Sequence, residues 1–177
     1  LVNCLNELVI VHGATGGGEQ AEACHRRALS ECRRLVAAHP DEQEYRLLEA
    51  KIWRYEAHHL GNVGRGEESR QAYDHAIAIY EDLLNRHPSQ TRLRLQLVET
   101  LIGRAQGACS PFGAGDEAEK DLIRANRLLE DLPQTESHEP LCLDLRSHVA
   151  NNLGGLAVLN ARAGKEKEGF QAGHGSL

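Results

Sequence analysis

The chain contains no methionine, one tryptophan and two phenylalanines, and aromatic residues make up only 4% of its 177 positions. A core built around large rings is thereby excluded, and helices that approach closely through small residues are favoured. Long apolar runs are missing as well. No stretch approaches the ~20 residues that a bilayer-spanning helix needs, so no membrane partner is expected. Residues 1–11 carry Asn3, Asn6 and Glu7 and do not read as a signal peptide. Basic charge is in deficit: 20 Lys and Arg stand against 26 Asp and Glu, for a net charge of −6. A general nucleic-acid binder would carry the opposite balance, so no nucleic-acid partner is expected.

Cysteines are few and show no pairing pattern. The five, Cys4, Cys24, Cys32, Cys109 and Cys142, are odd in number and form no CxxC. Cys24 and Cys32 fall on one expected helix, about 12 Å apart along its axis at ~1.5 Å per residue, too far to bridge. They support small buried hydrophobes in a reducing, cytoplasmic setting.

What the chain does have is a period of 48 residues. His39-Pro40 returns as His87-Pro88, and Gly13, Gly16, Gly18 and Glu19 return as Gly61, Gly64, Gly66 and Glu67. Ala28, Cys32 and Leu35 return as Ala76, Tyr80 and Leu83. A fixed period in this range signals stacked repeats. Each unit reads as two helices. The first carries apolar or small residues at i, i+3 and i+7, one face of a helix. That face is Val2, Leu5, Val9, then Ala50, Trp53, Ala57, Leu60, then Val98, Leu101, Ala105, Ala108, and last Ala150, Leu153, Ala157, Asn160. Glycine-bearing turns are expected at residues 13–18, 61–66, 112–115 and at Gly164, followed by acidic residues suited to a helix N-terminus. Second helices are expected over residues 19–39, 67–87 and 116–132, the first two ending before Pro40 and Pro88.

These residues resemble the tetratricopeptide repeat. Trp53, Ala57, Leu60 and Gly64 stand where that family's first helix has bulky, small, large and turn-glycine positions, and Ala76, Tyr80, Leu83 and Pro88 match its second helix. The other units offer Leu5, Val9, Gly16, Ala28, Cys32, Leu35, Pro40, and Leu101, Ala105, Gly113, Ala125, Leu129, Leu132, Pro133, with Leu153, Leu156, Ala157 and Gly164 in the last. The unit is longer than the family's usual 34 residues. Residues 147–154 are similar to long repeats found C-terminal to bacterial serine/threonine kinase domains and in related regulators. The resemblance implies an all-α, right-handed solenoid of antiparallel helix pairs, about seven helices in a tetratricopeptide-like superhelix. Four units are expected, at 1–40, 41–88, 89–138 and 139–165, with an irregular tail at 166–177. Further chain beyond both ends is expected, since the first helix starts without a cap.

Function follows from the same pattern. The loop at residues 13–18 has the look of a dinucleotide-binding turn, but the third glycine position is Glu19 and no GK[ST] follows. The same glycine spacing at residues 61–66 is explained by the repeat. His58 and His59, adjacent on a helix, point about 100° apart and cannot share an ion as an i, i+4 pair can. No catalytic residue, cofactor site or metal site is expected. The expectation is a non-enzymatic protein–protein interaction scaffold, part of a larger bacterial signalling or regulatory protein. The alternatives are a nucleotide-binding or enzymatic domain on the glycine loop, or a self-association module. In the family, polar residues beside the packing stripe face the concave groove. The resemblance therefore implies partner binding by Lys51, Arg54, His58, Glu99, Gln106 and Asn151, with Asn3, Asn6 and Asn62 beside them. Lys51, Arg54 and His58 would form a basic spot for a carboxylate or acidic peptide.

Overall fold

Proline after a helix end and glycine before a helix start punctuate the chain, and between them the polar–apolar pattern has the helical period. The computed structural model describes residues 18–108, 115–133 and 139–174, with residues 18, 21, 108, 115 and 159–174 as backbone. Six helices result: α1 (Gly18–Ala38), α2 (Gln43–Asn62), α3 (Gly66–Arg86), α4 (Thr91–Ala108), α5 (Gly115–Glu130) and α6 (Pro140–His174). No strand occurs among the described residues. The first helix expected, its stripe Val2, Leu5, Val9 and the loop at residues 13–17 lie outside the described residues.

The repeat holds to the level of single hydrogen bonds. His39 N–H donates to Leu35 O and His87 N–H to Leu83 O, both at 2.9 Å. Glu42 N–H then donates to His39 O, and Gln90 N–H to His87 O, both at 3.1 Å. One turn geometry thus joins each of these second helices to the next first helix. The two turns are tied together by paired amide bonds between Gln43 and Gln90, at 2.7 and 3.2 Å.

The turn between α2 and α3 requires its glycine. Gly64 has φ +80°. Arg65 N–H donates to Leu60 O at 2.9 Å and Gly64 N–H to Gly61 O at 3.1 Å, bonds of the kind that close a Schellman helix end. The glycine spacing predicts a turn role for Gly61 and Gly66 too, and neither takes it. Gly61 lies in the last turn of α2, and Gly66 opens α3 without positive φ.

Burial follows the repeat. Ala28 and Cys32, Ala76, Tyr80 and Leu83, and Ala125, Leu129 and Leu132 are all buried, as are Ala50, Ala57, Leu60, Val98, Leu101 and Ala105. Trp53 is half-buried and packs against all three apolar clusters of the core. Cys32 is a buried free thiol that donates to Tyr45 O at 3.3 Å, and burial pushes it up to about 11. The first helices α2, α4 and α6 touch one another in turn. The second helices α1, α3 and α5 stand apart at the backbone and are bridged by ion pairs, Arg65 (just before α3) with Glu22, Arg70 with Glu117 and Arg124 with Glu81.

The fourth unit departs from expectation. Ala150 and Ala157 are exposed, and the buried residues of α6 are Cys142, Leu145, Val149 and Leu156. Among the described residues α6 packs only on α4 and α5, so the flank that would meet its own second helix stays uncovered. The helix also runs through Gly164 to His174, where the sequence predicts a turn and an irregular tail. Glycine inside a helix costs about 1 kcal/mol relative to alanine, which lowers helix stability without forbidding the conformation.

Two substitutions test this packing. Gly64→Val should lower stability by about 1 kcal/mol or more, because valine resists positive φ, whereas Gly66→Ala should be neutral or mildly stabilising. Equal losses in thermal melts would refute the assignment of the turn to Gly64. At Gly103, a Cβ would lie 2.7 Å from the hydroxyl of buried Tyr73. Gly103→Ala should therefore cost about 1–2 kcal/mol after its gain in helix propensity, and less in a Tyr73→Phe background. An identical cost in both backgrounds would show that the hydroxyl is not the cause, since the ring carbons, 3.0 Å from the new Cβ, remain in phenylalanine.

Candidate functional site

Polar residues expected to bind a partner lie on the first helices, and α2 and α4 bring some of them together. Lys51, Arg54 and His58 recur at i, i+3 and i+7 on α2, so they share a side of that helix. Arg54 Nη1 lies 3.3 Å from Glu99 Oε2 on α4. The guanidinium also sits over the Tyr55 ring, 5.1 Å from its centroid. The Lys51 amine is lowered from its ordinary range by burial, then by Arg92 and Arg54, and is opposed by Glu99. Lys51, Arg54, Arg92 and Glu99 therefore make one electrostatic group of three cations and one carboxylate.

The remaining candidates are not part of it. His58 is exposed and takes a hydrogen bond at 3.1 Å from Asn62 Nδ2. Gln106 on α4 and Asn151 on α6 are exposed and make no hydrogen bond or ion pair among the described residues. Asn3 and Asn6 lie outside the described residues. Arg92 and Tyr55 were missed by sequence reasoning, though helical spacing could have found them. Arg92 is seven residues before Glu99, and Tyr55 is four after Lys51, on the same faces. The sequence marks Tyr80 only as a core position. It is fully buried, and burial raises its hydroxyl above the ordinary tyrosine range, with Arg54 opposing and Glu99 adding to the shift.

Two other polar clusters explain themselves structurally. A cavity of about 290 Å³ between α3, α4 and α5 is lined by Arg70, Asp74, Arg104, Glu117, Lys120 and Asp121. Arg104 spends its donors inside the protein. It bonds Asp121 at 2.8 and 2.6 Å and also bonds Asp74, which holds its guanidinium further on the protonated side. Where α1 meets α2, buried His25 and Glu56 face each other at 3.4 Å, and His25 packs edge-on to Trp53. His75 stacks on Trp53 at 4.5 Å. Burial raises Glu56 to about 7, helped by Glu22 and Glu68 and opposed by Arg65 and Arg26. Burial lowers His25 to about 4, helped by His59, Arg26 and Arg33. No group of three or more metal-ligating side chains suited to an ion occurs among the described residues.

The glycine loop at residues 13–17 lies outside the described residues; Gly18 opens α1. No described helix is long and apolar enough to cross a membrane. Comparison with known families adds one finding: the tetratricopeptide repeat model matches residues 1–41, a stretch that includes α1 and the turn after it. No curated protein matches the chain.

The opposed shifts of Glu56 and His25 give a pH prediction. Glu56 sits above its ordinary 4.5 in the fold, so its contribution is complete below about 4.5 and is lost as pH rises to about 7. His25 sits below its ordinary 6.5, so its contribution is complete above about 6.5 and is lost as pH falls to about 4. Between about 4.5 and 6.5 the two slopes cancel. Glu56→Gln removes only the first, so stability relative to wild type should climb as pH rises from about 4.5 to 7. Parallel pH–stability curves for the two proteins would contradict a raised Glu56.

Proposed function

We propose that this tetratricopeptide-like chain is a non-enzymatic interaction module that binds a protein or peptide partner along the wall formed by α2, α4 and α6. The repeat likeness makes protein–protein interaction the function class. The contact pattern supports the choice of surface. Helices that touch on one side of a stack and spread on the other form a continuous wall on the touching side, as in other repeat proteins that bind along a curved face. The observation that carries the chemistry is the meeting of Lys51, Arg54 and Arg92 beside a single carboxylate, Glu99. On a chain of net charge −6, such a spot selects acidic partners. His58, Gln106 and Asn151 extend the same wall in this reading. The module belongs to a larger cytoplasmic regulatory protein, on the similarity of residues 147–154 to repeats beside bacterial kinase domains.

A second reading, self-association, is favoured by one observation: Leu143 is exposed on α6 on the same side as exposed Ala150 and Ala157. Light scattering across a dilution series separates a self-associating chain from a monomeric binder. The first reading is tested by affinity capture from the source cell. Arg54→Glu should reduce recovery of the specific partner about tenfold, roughly 1.4 kcal/mol, with the melting temperature little changed. Undiminished capture would move the binding face elsewhere.

A further inference from the structure

The seam where α1 docks on α2 holds polar groups that nothing answers. His25, Glu56 and His59 are each more than nine-tenths buried. His25 Nδ1, Glu56 Oε2 and His59 Nε2 have no hydrogen-bond partner among the described residues. His25 and Glu56 face each other at 3.4 Å, outside hydrogen-bond geometry. A desolvated polar atom left unpaired is costly, and more so if it carries charge.

The other junctions are answered. Ser69 Oγ of α3 donates to Ala57 O of α2 at 2.6 Å. Arg104 of α4 stands 48 residues after Glu56, at the equivalent position of the repeat, and there Asp74 of α3 and Asp121 of α5 both bond it. At the α1 seam the apolar cluster is small, with Ala28, Leu29, Cys32 and Ile52 as its buried members. Beside it stand the bond from the Cys32 thiol to Tyr45 O, a weak donor, and the Arg33–Glu49 ion pair at 3.7 Å.

We propose that α1 opens from the stack as a unit of its own, and that the His25–Glu56 pair, with His59 beside it, is the latch that sets how readily it opens. Local opening draws on the least stable part of a fold. Here it would bring the three polar groups to water and uncover Ile52 on α2 and the Cys32 thiol.

The latch carries a proton exchange. Shut, it favours the uncharged pair, because neither charge would have a hydrogen-bond partner. Glu56 is faced by Glu22 and Arg26 of α1, by Glu68 of α3 and by Arg65 just before α3, and burial raises it to about 7. His25 is faced by His59 of α2 and by Arg26 and Arg33 of its own helix, and burial lowers it to about 4. Open, the two groups return to their ordinary values of 4.5 and 6.5, and between those values they are a carboxylate and an imidazolium. Opening therefore moves a proton from Glu56 to His25, with no net uptake in that window.

The test is hydrogen–deuterium exchange of the full chain read by mass spectrometry. Amides of α1 should be protected about tenfold less than those of α3, or lower still. Equal protection would mean that α1 opens only with the whole fold, and would overturn the separate unit. Replacing the pair by leucines, His25→Leu with Glu56→Leu, should raise α1 protection about fivefold and leave α3 nearly unchanged. Unchanged or lower α1 protection overturns the latch. The single variants test the proton exchange. From pH 5 to 8 the opposed shifts should hold wild-type α1 protection to a change of about threefold. Glu56→Gln leaves only His25, so protection should rise with pH by about tenfold or more. His25→Asn leaves only Glu56, so protection should fall by about tenfold or more. Parallel profiles in the three proteins overturn the latch. Circular dichroism melts check each variant, and should the leucine pair fail to fold, the single variants decide alone.

Discussion

No helix pair in this chain can bury its apolar stripe by itself, and the rest of the architecture follows from that constraint. A pair offers one face inward to its partner helix and another to the next pair, so stability comes from stacking. The consequence is clearest at α4, where Leu93, Leu95, Leu97, Val98, Leu101, Ile102 and Ala105 are all buried because α3, α5, α2 and α6 surround it. Small residues make the close approach workable. Ala57 and Gly61 let α3 come near enough for Ser69 Oγ to donate to Ala57 O at 2.6 Å. The scarcity of aromatic residues fits the same design, with Trp53 the exception that links three apolar clusters.

Charge is distributed according to what each junction must do. Between the outer helices, where backbones stand apart, arginine and carboxylate chains span the gap. Exposed pairs of this kind contribute little to stability, ~0–1 kcal/mol each, and act mainly by matching neighbours in register. Arg104 is different, because its guanidinium and Asp121 are partly desolvated and the cation is answered from within by two carboxylates. On the inner wall the answering stops halfway. Arg54 has one carboxylate at 3.3 Å and two cationic neighbours, whereas Arg104 is matched by two carboxylates.

Much of this is legible in the sequence, for a physical reason. Helical periodicity records which residues meet a neighbour, and repetition at 48 residues records that each neighbour is met in the same way. Thus Ala28 and Ala76, 48 residues apart, can be assigned to equivalent core positions from spacing alone, and both are buried. Proline after His39 and His87 marks two helix ends because its ring cannot continue the helix. Where legibility fails, the missing quantity is context. Gly61, Gly64 and Gly66 look alike along the chain, but only Gly64 carries positive φ. Ala150 and Ala157 bear the right spacing for a core, and their exposure comes from the lack of a covering helix among the described residues.

The candidate site shows the same division. Spacing along α2 determined that Lys51, Arg54 and His58 lie on one side of a helix, because 3.6 residues per turn leave no other arrangement. It could not show that Glu99 reaches Arg54, that Arg92 stands near enough to Lys51 to act on its charge, or that buried Tyr80 on α3 lies within electrostatic reach of Arg54 and Glu99. Those facts belong to distances between helices, which depend on how side chains from three elements fill a shared volume. The sequence alone determined the helices, their repeat and most of their apolar faces, since these are local properties of the chain. Only the tertiary structure decided which charges are answered and which remain open, because that depends on neighbours tens of residues apart.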